Sequence, residues 1–237
     1  MATGTEPKRP AGSGWVYGAA GRTIRSLIQH ILLFPLLRFL IPHSVRGAEN
    51  LRGLRGPLIV VANHVSHLDT PLIVRVLPPA IRSRLVVAAA KDYFYSGRLR
   101  GALVSVSLAT VPFDRGEGSR GSLDECEQLL RSGRSLLIFP EGTRSSTGQL
   151  GQLRTGVSVL AMQTGTPVLP LFIHGLTDVM PKGTAAPMPG GVVIDVGETL
   201  LPNLEDDIAR FRDRVESALV QLGERRPQWG ARPTGEV

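Results

Sequence analysis

The stretch Pro57-Leu58-Ile59-Val60-Val61-Ala62-Asn63-His64-Val65-Ser66-His67-Leu68-Asp69 passes directly from an unbroken apolar run into a polar turn. The run from Leu58 to Ala62 is too short for a helix, and its consecutive apolar positions suit a strand covered on both faces. Downstream, the Asp69 carboxylate can cap a helix in which Pro71 takes an early position. Strand, turn and helix in that order make an α/β unit, and the same texture recurs along the chain. Further candidate strands are Leu85 to Ala89, Thr110 to Phe113, Ser135 to Phe139, Val168 to Ile173 and Val192 to Val196. The expected fold class is therefore α/β, a single domain with a mostly parallel or mixed central sheet covered by helices.

Helices fill the gaps. One is expected near Ser119 or Ser122, where Ser122 and Glu125 match a capping box. Another carries Leu204, Ile208, Phe211, Val215, Leu219 and Leu222 at steps of three and four, with Glu205, Asp206 and Asp207 at its positive end. Residues 1–14 and 224–237 are rich in Gly, Pro and charge without apolar periodicity and read as mobile tails.

The 237 residues carry a formal net charge of +7, and residues 1–56 alone hold eight basic groups against Glu6 and Glu49. Nearly all the excess thus sits in the first quarter, which implies an anionic surface as partner. The stretch from Leu27 to Ile41 interleaves its arginines with aliphatics rather than with base-stacking aromatics, favouring lipid over nucleic acid. Ile24, Leu27, Ile28 and Ile31 oppose Arg22, Arg25, Ser26 and Gln29 at helical spacing, the pattern of a helix lying in a membrane interface. Gln29, His30, Pro35 and Arg38 make the stretch a poor spanning segment, and its interruptions also argue against a cleaved signal peptide. The competing reading is a core helix with arginines at its rim. Cys126 is the single cysteine, which excludes a disulfide framework. It falls between Leu123 and Leu130 at helical steps and reads as a packing residue.

Two turns carry chemistry. In the first, His64 has the residue type to take a proton from a hydroxyl, and Asp69 to fix its tautomer and stabilise the imidazolium. The two are five residues apart and meet only if the chain turns between them. On local pattern alone, a capping Asp69 and a backbone-bonded His64 explain the stretch equally well, and His64, His67 and Asp69 could also begin a metal site. The remaining ligands for a metal are hard to find, since only His30, His43 and His174 are left. The second turn, Phe139-Pro140-Glu141-Gly142-Thr143-Arg144-Ser145, combines a glycine that lets amides approach a ligand, hydroxyl donors and an arginine fork. It has the make-up of an anion cradle. Val111-Pro112-Phe113-Asp114-Arg115 places another arginine just past a strand.

Together these stretches resemble the glycerolipid acyltransferase family, in particular its bacterial-type 1-acylglycerol-3-phosphate (lysophosphatidate) acyltransferases. The match lies in four ordered blocks: NHVSHLD at Asn63 to Asp69, VPFDR at Val111 to Arg115, FPEGTRS at Phe139 to Ser145 and VLPLFI at Val168 to Ile173. LRTG at Leu153 to Gly156 is similar to a further family element, with Arg154 where lysine is frequent. The resemblance covers about residues 57–197. It implies His64 as general base, Asp69 as its orienting carboxylate, and Arg115, Glu141, Gly142, Thr143 and Arg144 as the acceptor's glycerol-phosphate site. Lys91 resembles a lysine that precedes the second block, while Arg98 departs from the pattern where proline is expected.

The reaction implied is direct acyl transfer from acyl-CoA or acyl carrier protein to the sn-2 hydroxyl of lysophosphatidate, giving phosphatidate without a cofactor. No G-x-S-x-G nucleophile elbow occurs in the chain. The expected organisation is a tail at 1–14, a basic amphipathic membrane-associating segment at 15–45, a catalytic domain at 46–223 and a tail at 224–237. The implied location is the cytoplasmic face of the cell membrane, held peripherally or monotopically. Transfer to another lysophospholipid, a metal-dependent hydrolase and a silent lipid-binding protein are the alternatives. Gly116 to Gly121 satisfies G-x-G-x-x-G, but no βαβ unit with an acidic ribose partner follows, so a dinucleotide is not expected.

Overall fold

Ile59, Val60, Val61 and Ala62 are all fully buried, as a strand with both faces covered requires. A computed structural model describes residues 18–90, 108, 110–113, 120–145, 147–180, 184, 187, 188, 190–225 and 227. The chain begins with α1 (Ala19–Ile28), a π turn (Gln29–Leu33), α2 (Phe34–Leu40), β1 (His43–Arg46) and a 3-10 turn (Ala48–Leu51). It continues with β2 (Ile59–Ala62), α3 (Asp69–Val76), α4 (Pro79–Arg82), β3 (Leu85–Ala90), β4 (Thr110–Phe113), α5 (Arg120–Arg131) and β5 (Ser135–Ile138). It closes with α6 (Gly156–Thr164), β6 (Val168–His174), α7 (Leu176–Val179), β7 (Val192–Val196) and α8 (Ile208–Glu224).

Among the described residues seven strands form one sheet in the order β1-β7-β6-β2-β5-β3-β4. All neighbours are parallel except β6 and β7. The sheet is mixed, and its six expected strands are all present. The seventh, His43–Arg46, was not expected and runs across the division drawn at residues 45 and 46. Its four residues are all half-buried and only Val45 is apolar, so it has neither the buried run nor the alternation by which a strand is read.

Two cores lie on the two faces. On one, Val60 and Ala62 pack with Leu72 and Ile73 of α3, Ile81 of α4, and Phe34 and Leu37 of α2. On the other, Ile59 and Val61 pack with Cys126 and Leu130 of α5, Leu160 and Ala161 of α6, and Phe211, Val215 and Leu219 of α8. The connections leaving the adjacent strands β2 and β5 therefore pass to opposite faces. That leaves a crevice at their carboxyl ends, the usual place for a site in an open α/β sheet. Burial in an apolar environment pushes the Cys126 thiol up to about 12, in keeping with a packing role.

Local signals were realised unevenly. Asp207 caps α8 as a helix start requires, accepting from the Arg210 amide at 2.8 Å. Leu204 lies before the helix and is fully exposed, so the buried stripe starts at Phe211. Ser122 lies inside α5 rather than at its N-cap, because that helix already begins at Arg120.

At the N-terminus Pro35 does not break the helix. The π turn lets the Phe34 amide reach the Gln29 carbonyl, and Pro35 then sits in the first turn of α2, where its missing N–H is tolerated. The result is one 22-residue helix, Ala19–Leu40, long and apolar enough to cross a bilayer by length and composition. Beside the buried Phe34 and Leu37 its polarity is unusual for a core helix: Arg25 and Gln29 are also buried, whereas Ile31 is 74% and Phe39 83% exposed. The helix is docked through Arg75, which donates to the Phe34 carbonyl at 2.6 Å, and Arg82, whose guanidinium lies 5.1 Å from the Phe34 ring centroid.

Candidate active site

Asn63 ends β2 by replacing the backbone ladder with its side chain. Its amide donates to the Ile173 carbonyl at 3.0 Å, and its oxygen accepts from the Ile173 amide at 2.8 Å. The chain is thereby released into a tight turn whose amides need acceptors. Asp69 supplies them from the first residue of α3. Its Oδ2 accepts from the amides of Val65 at 2.7 Å and Ser66 at 2.9 Å, and from His64 Nδ1 at 2.7 Å. Asp69 does not cap α3, whose N-cap is Leu68; it closes the preceding turn instead. This is why residues five apart meet. Asp69 is fully buried, and its Oδ1 has no hydrogen-bond partner among the described residues.

With Nδ1–H directed at the carboxylate, Nε2 of His64 carries the lone pair. The ring is stacked on Phe139, with centroids 4.0 Å apart and planes at 17°. Its side chain is 16% exposed, so the imidazole is held on one side and open on another. Phe139, the last residue before the second turn, and Asn63 are supports that the sequence reading did not single out. A strand-end aromatic and a strand-end amide give no signal of their own until the sheet is assembled.

The second turn leaves β5 beside the first. Glu141 Oε1 accepts from the His64 amide at 2.9 Å, its Oε2 accepts from the Gly151 amide at 2.8 Å, and the Ser145 amide donates to the His64 carbonyl at 2.7 Å. Both main-chain groups of His64 are thus held by this loop. Gly142 adopts φ +75°, a left-handed conformation that favours glycine, and a Cβ there would also displace the Arg154 side chain, whose Nε would stand 2.8 Å away. The Arg144 guanidinium makes no ion pair or hydrogen bond among the described residues. Burial, then the charges of Arg144 and His64, hold His67 below its ordinary pKa, which places Arg144 close enough to the first turn to be felt there. Thr143 is exposed beside it.

His64, Asp69, Glu141, Gly142, Thr143 and Arg144 are therefore brought to one edge of the sheet. Lys91 and Arg115 lie outside the described residues. The strands preceding them, β3 and β4, end at Ala90 and Phe113 and run parallel to β5.

A second histidine–carboxylate pair differs in kind. Asp195 of β7 takes Nε of Arg46 at 2.6 Å on one oxygen and Nε2 of His174 at 2.9 Å on the other. A guanidinium already compensates this carboxylate, and the trio cross-braces β1, β7 and β6. Among the described residues no group of three His, Cys, Asp or Glu side chains is placed to hold a metal ion.

An imidazole with one nitrogen fixed, one free, and an uncommitted guanidinium nearby can take a proton from the hydroxyl of an anionic substrate. Comparison with known proteins points the same way. A 1-acyl-sn-glycerol-3-phosphate acyltransferase of Brassica napus chloroplasts is 32% identical over 144 residues, 60% of this chain and 40% of that protein. One from Pseudomonas aeruginosa is 26% identical over 200 residues, 83% of this chain and 70% of the bacterial protein. The crystal structure of the 1-acyl-sn-glycerophosphate acyltransferase PlsC from Thermotoga maritima superimposes with a TM-score of 0.69 at 27% identity, covering 88% of this chain and 83% of that one. The chain spans about two fifths of the length of the chloroplast relatives it matches. The family model described as Acyltransferase matches residues 43–174, which run from β1 to the end of β6 and include both turns, so the chain belongs to the acyltransferase family.

Proposed function

We propose that the protein transfers a fatty acyl group from acyl-CoA or acyl carrier protein to the sn-2 hydroxyl of 1-acyl-sn-glycerol 3-phosphate, giving phosphatidate. The observation that carries this reading is the 2.7 Å bond from His64 Nδ1 to a carboxylate that also closes the turn. In the proposed step Nε2 takes the hydroxyl proton as the oxygen attacks the thioester carbonyl. The C–S bond then breaks, and the imidazolium returns the proton to the leaving thiolate. Asp69 keeps the tautomer and stabilises the charged ring. The activated acyl group arrives in the thioester, so the reaction calls for neither an enzyme nucleophile nor a cofactor. The uncommitted Arg144, with the turn around Gly142 and Thr143, supports binding of the acceptor's phosphate, and Arg115 and Lys91 are proposed to join it from β4 and β3.

The membrane is the proposed partner of the N-terminal helix. Its exposed row, Ile24, Leu27, Ile31, Leu36 and Phe39, runs along the helix, while the opposite row is occupied by the protein body. A one-sided apolar stripe suits a helix lying in the interface, where a single-chain lysolipid also resides. The protein is thus read as peripheral or monotopic, on the cytoplasmic face where thioester donors are available.

The test is transfer from labelled acyl-CoA to a panel of lysolipids, with His64→Ala and a chelator in parallel. Product from lysophosphatidate alone, lost in the variant and indifferent to chelator, is expected. Product from a different head group would move the acceptor. Chelator-sensitive hydrolysis would overturn the mechanism, as would binding without turnover with either donor.

A further inference from the structure

We infer that Glu141 is a positioning residue that sets His64 through its main chain, rather than a group that touches the acceptor. The inference rests on the acyl-transfer reading and deepens it. Both carboxylate oxygens are already engaged, Oε1 by the His64 amide at 2.9 Å and Oε2 by the Gly151 amide at 2.8 Å, and the residue is only 9% exposed. A carboxylate would in any case repel the phosphate that the neighbouring arginine is suited to hold. What Glu141 does instead is join three pieces of chain: the turn after β2, the turn after β5 and the return of that loop at Gly151. The Ser145 amide on the His64 carbonyl and the Arg154 amide on the Pro140 carbonyl, at 3.0 Å, complete the same unit. Arg144 lies within the segment spanned by these bonds. The position of the proton acceptor and that of the anion loop are thus fixed by one side chain.

Gly151 is the other half of the device. A Cβ there would meet Oε2 at 3.1 Å, tighter than an ordinary contact, so an alanine would push the carboxylate or the loop by a few tenths of an ångström. Burial raises the pKa of Glu141, opposed by the hydrogen bonds from Gly151 and His64 and by the charge of His64, while Asp69 adds to the rise. Protonation converts an acceptor oxygen into a donor that faces an amide N–H. Activity that depends on the clamp is therefore lost as pH falls through this raised pKa.

The test uses Glu141→Gln and Gly151→Ala, alone and combined, in the full chain. Glu141→Gln keeps the size but offers one acceptor where two are needed. It is expected to lower kcat about 10- to 100-fold, the scale of a small misplacement, with KM for lysophosphatidate within about twofold. The part of the acid limb that comes from Glu141 should be lost, since the amide does not titrate, while the part that comes from the general base remains. Gly151→Ala leaves the carboxylate intact and should lower kcat in the same sense, and the double variant should lose less than the product of the two. A raised KM at unchanged kcat would make Glu141 a substrate contact, and independent effects would break the coupling; either result overturns the inference. A readout that needs no turnover separates this from the functional reading: the Nδ1–H proton resonance of His64. It should shift or exchange faster in both variants, and an unchanged resonance overturns the clamp whether or not lysophosphatidate is the acceptor.

Discussion

His64 stands between a carboxylate that fixes one nitrogen and an aromatic ring that fixes its plane, so little freedom is left for a proton to go astray. Replacing it by alanine should remove transfer by at least about 10²- to 10⁴-fold, the usual contribution of a positioned base, without changing the circular dichroism spectrum. Near-wild-type turnover in that variant would eliminate the proposed step. Asp69→Asn should lower kcat by a similar factor, because the amide can present N–H to Nδ1 and favour the wrong tautomer. Arg144→Ala should act elsewhere, raising KM for lysophosphatidate roughly 10- to 100-fold, as expected for loss of charge-assisted bonds of about 1.5–3 kcal/mol. An unchanged KM would remove Arg144 from the acceptor site. At this scale the meeting of His64 with Asp69, and of their turn with the Glu141 loop, was legible in the sequence because the residue types in the two turns stand out. What was hidden is the set of backbone donors: that Asp69 accepts from Val65 and Ser66, or Glu141 from His64 and Gly151, depends on where amides point.

The helix Ala19–Leu40 buries Phe34 and Leu37 in the core together with Arg25 and Gln29, yet leaves a row of large apolar residues outward, more than a core helix would expose. Ile31→Glu and Phe39→Glu, at positions 74% and 83% exposed, should leave thermal stability unchanged and lower co-sedimentation with anionic vesicles. Each apolar side chain inserted is worth about 1.5–3 kcal/mol, so the loss per substitution should be roughly tenfold or more in partitioning. Leu201→Glu is the control: Leu201 is 57% exposed but adjoins the Leu200–Val168 bridge, at the end of the sheet opposite the site. Equal losses at all three positions would mean that charge, not this face, governs binding. Among elements, buried parallel strands were readable because consecutive Val, Ile and Leu leave few other assignments. The strand His43–Arg46 was not, since an edge strand of mixed polarity is held by pairing with β7 rather than by its own pattern. The continuity of the helix through Pro35 was equally hidden, as a π turn can absorb a proline that an ideal helix rejects.

Across the molecule, Arg46, Asp195 and His174 join β1, β7 and β6, the three strands at one end of the sheet order. Arg46 also donates to the carbonyl of Arg225, so the strand that follows the N-terminal helix meets the end of α8. Burial raises the proton affinity of Asp195, but the hydrogen bonds from His174 and Arg46 and their charges together outweigh it, and the net pKa is lowered. A carboxylate whose folded pKa is depressed adds stability above its unfolded pKa and loses it as pH falls through the folded value. Asp195→Asn should therefore cost about 3 kcal/mol near neutral pH, the low end for breaking a buried pair. The low end applies because Arg46 is 40% exposed and can rehydrate. The difference from wild type should narrow below about pH 4, where an unperturbed aspartate takes up its proton. Urea unfolding of both proteins across that acid range tests this carboxylate, since groups remote from Asp195 titrate alike in both. A gap of constant size would show that the aspartate acts by packing alone, whereas a closing gap shows charge tying the first strand, which follows the N-terminal helix, to the sheet that carries His64.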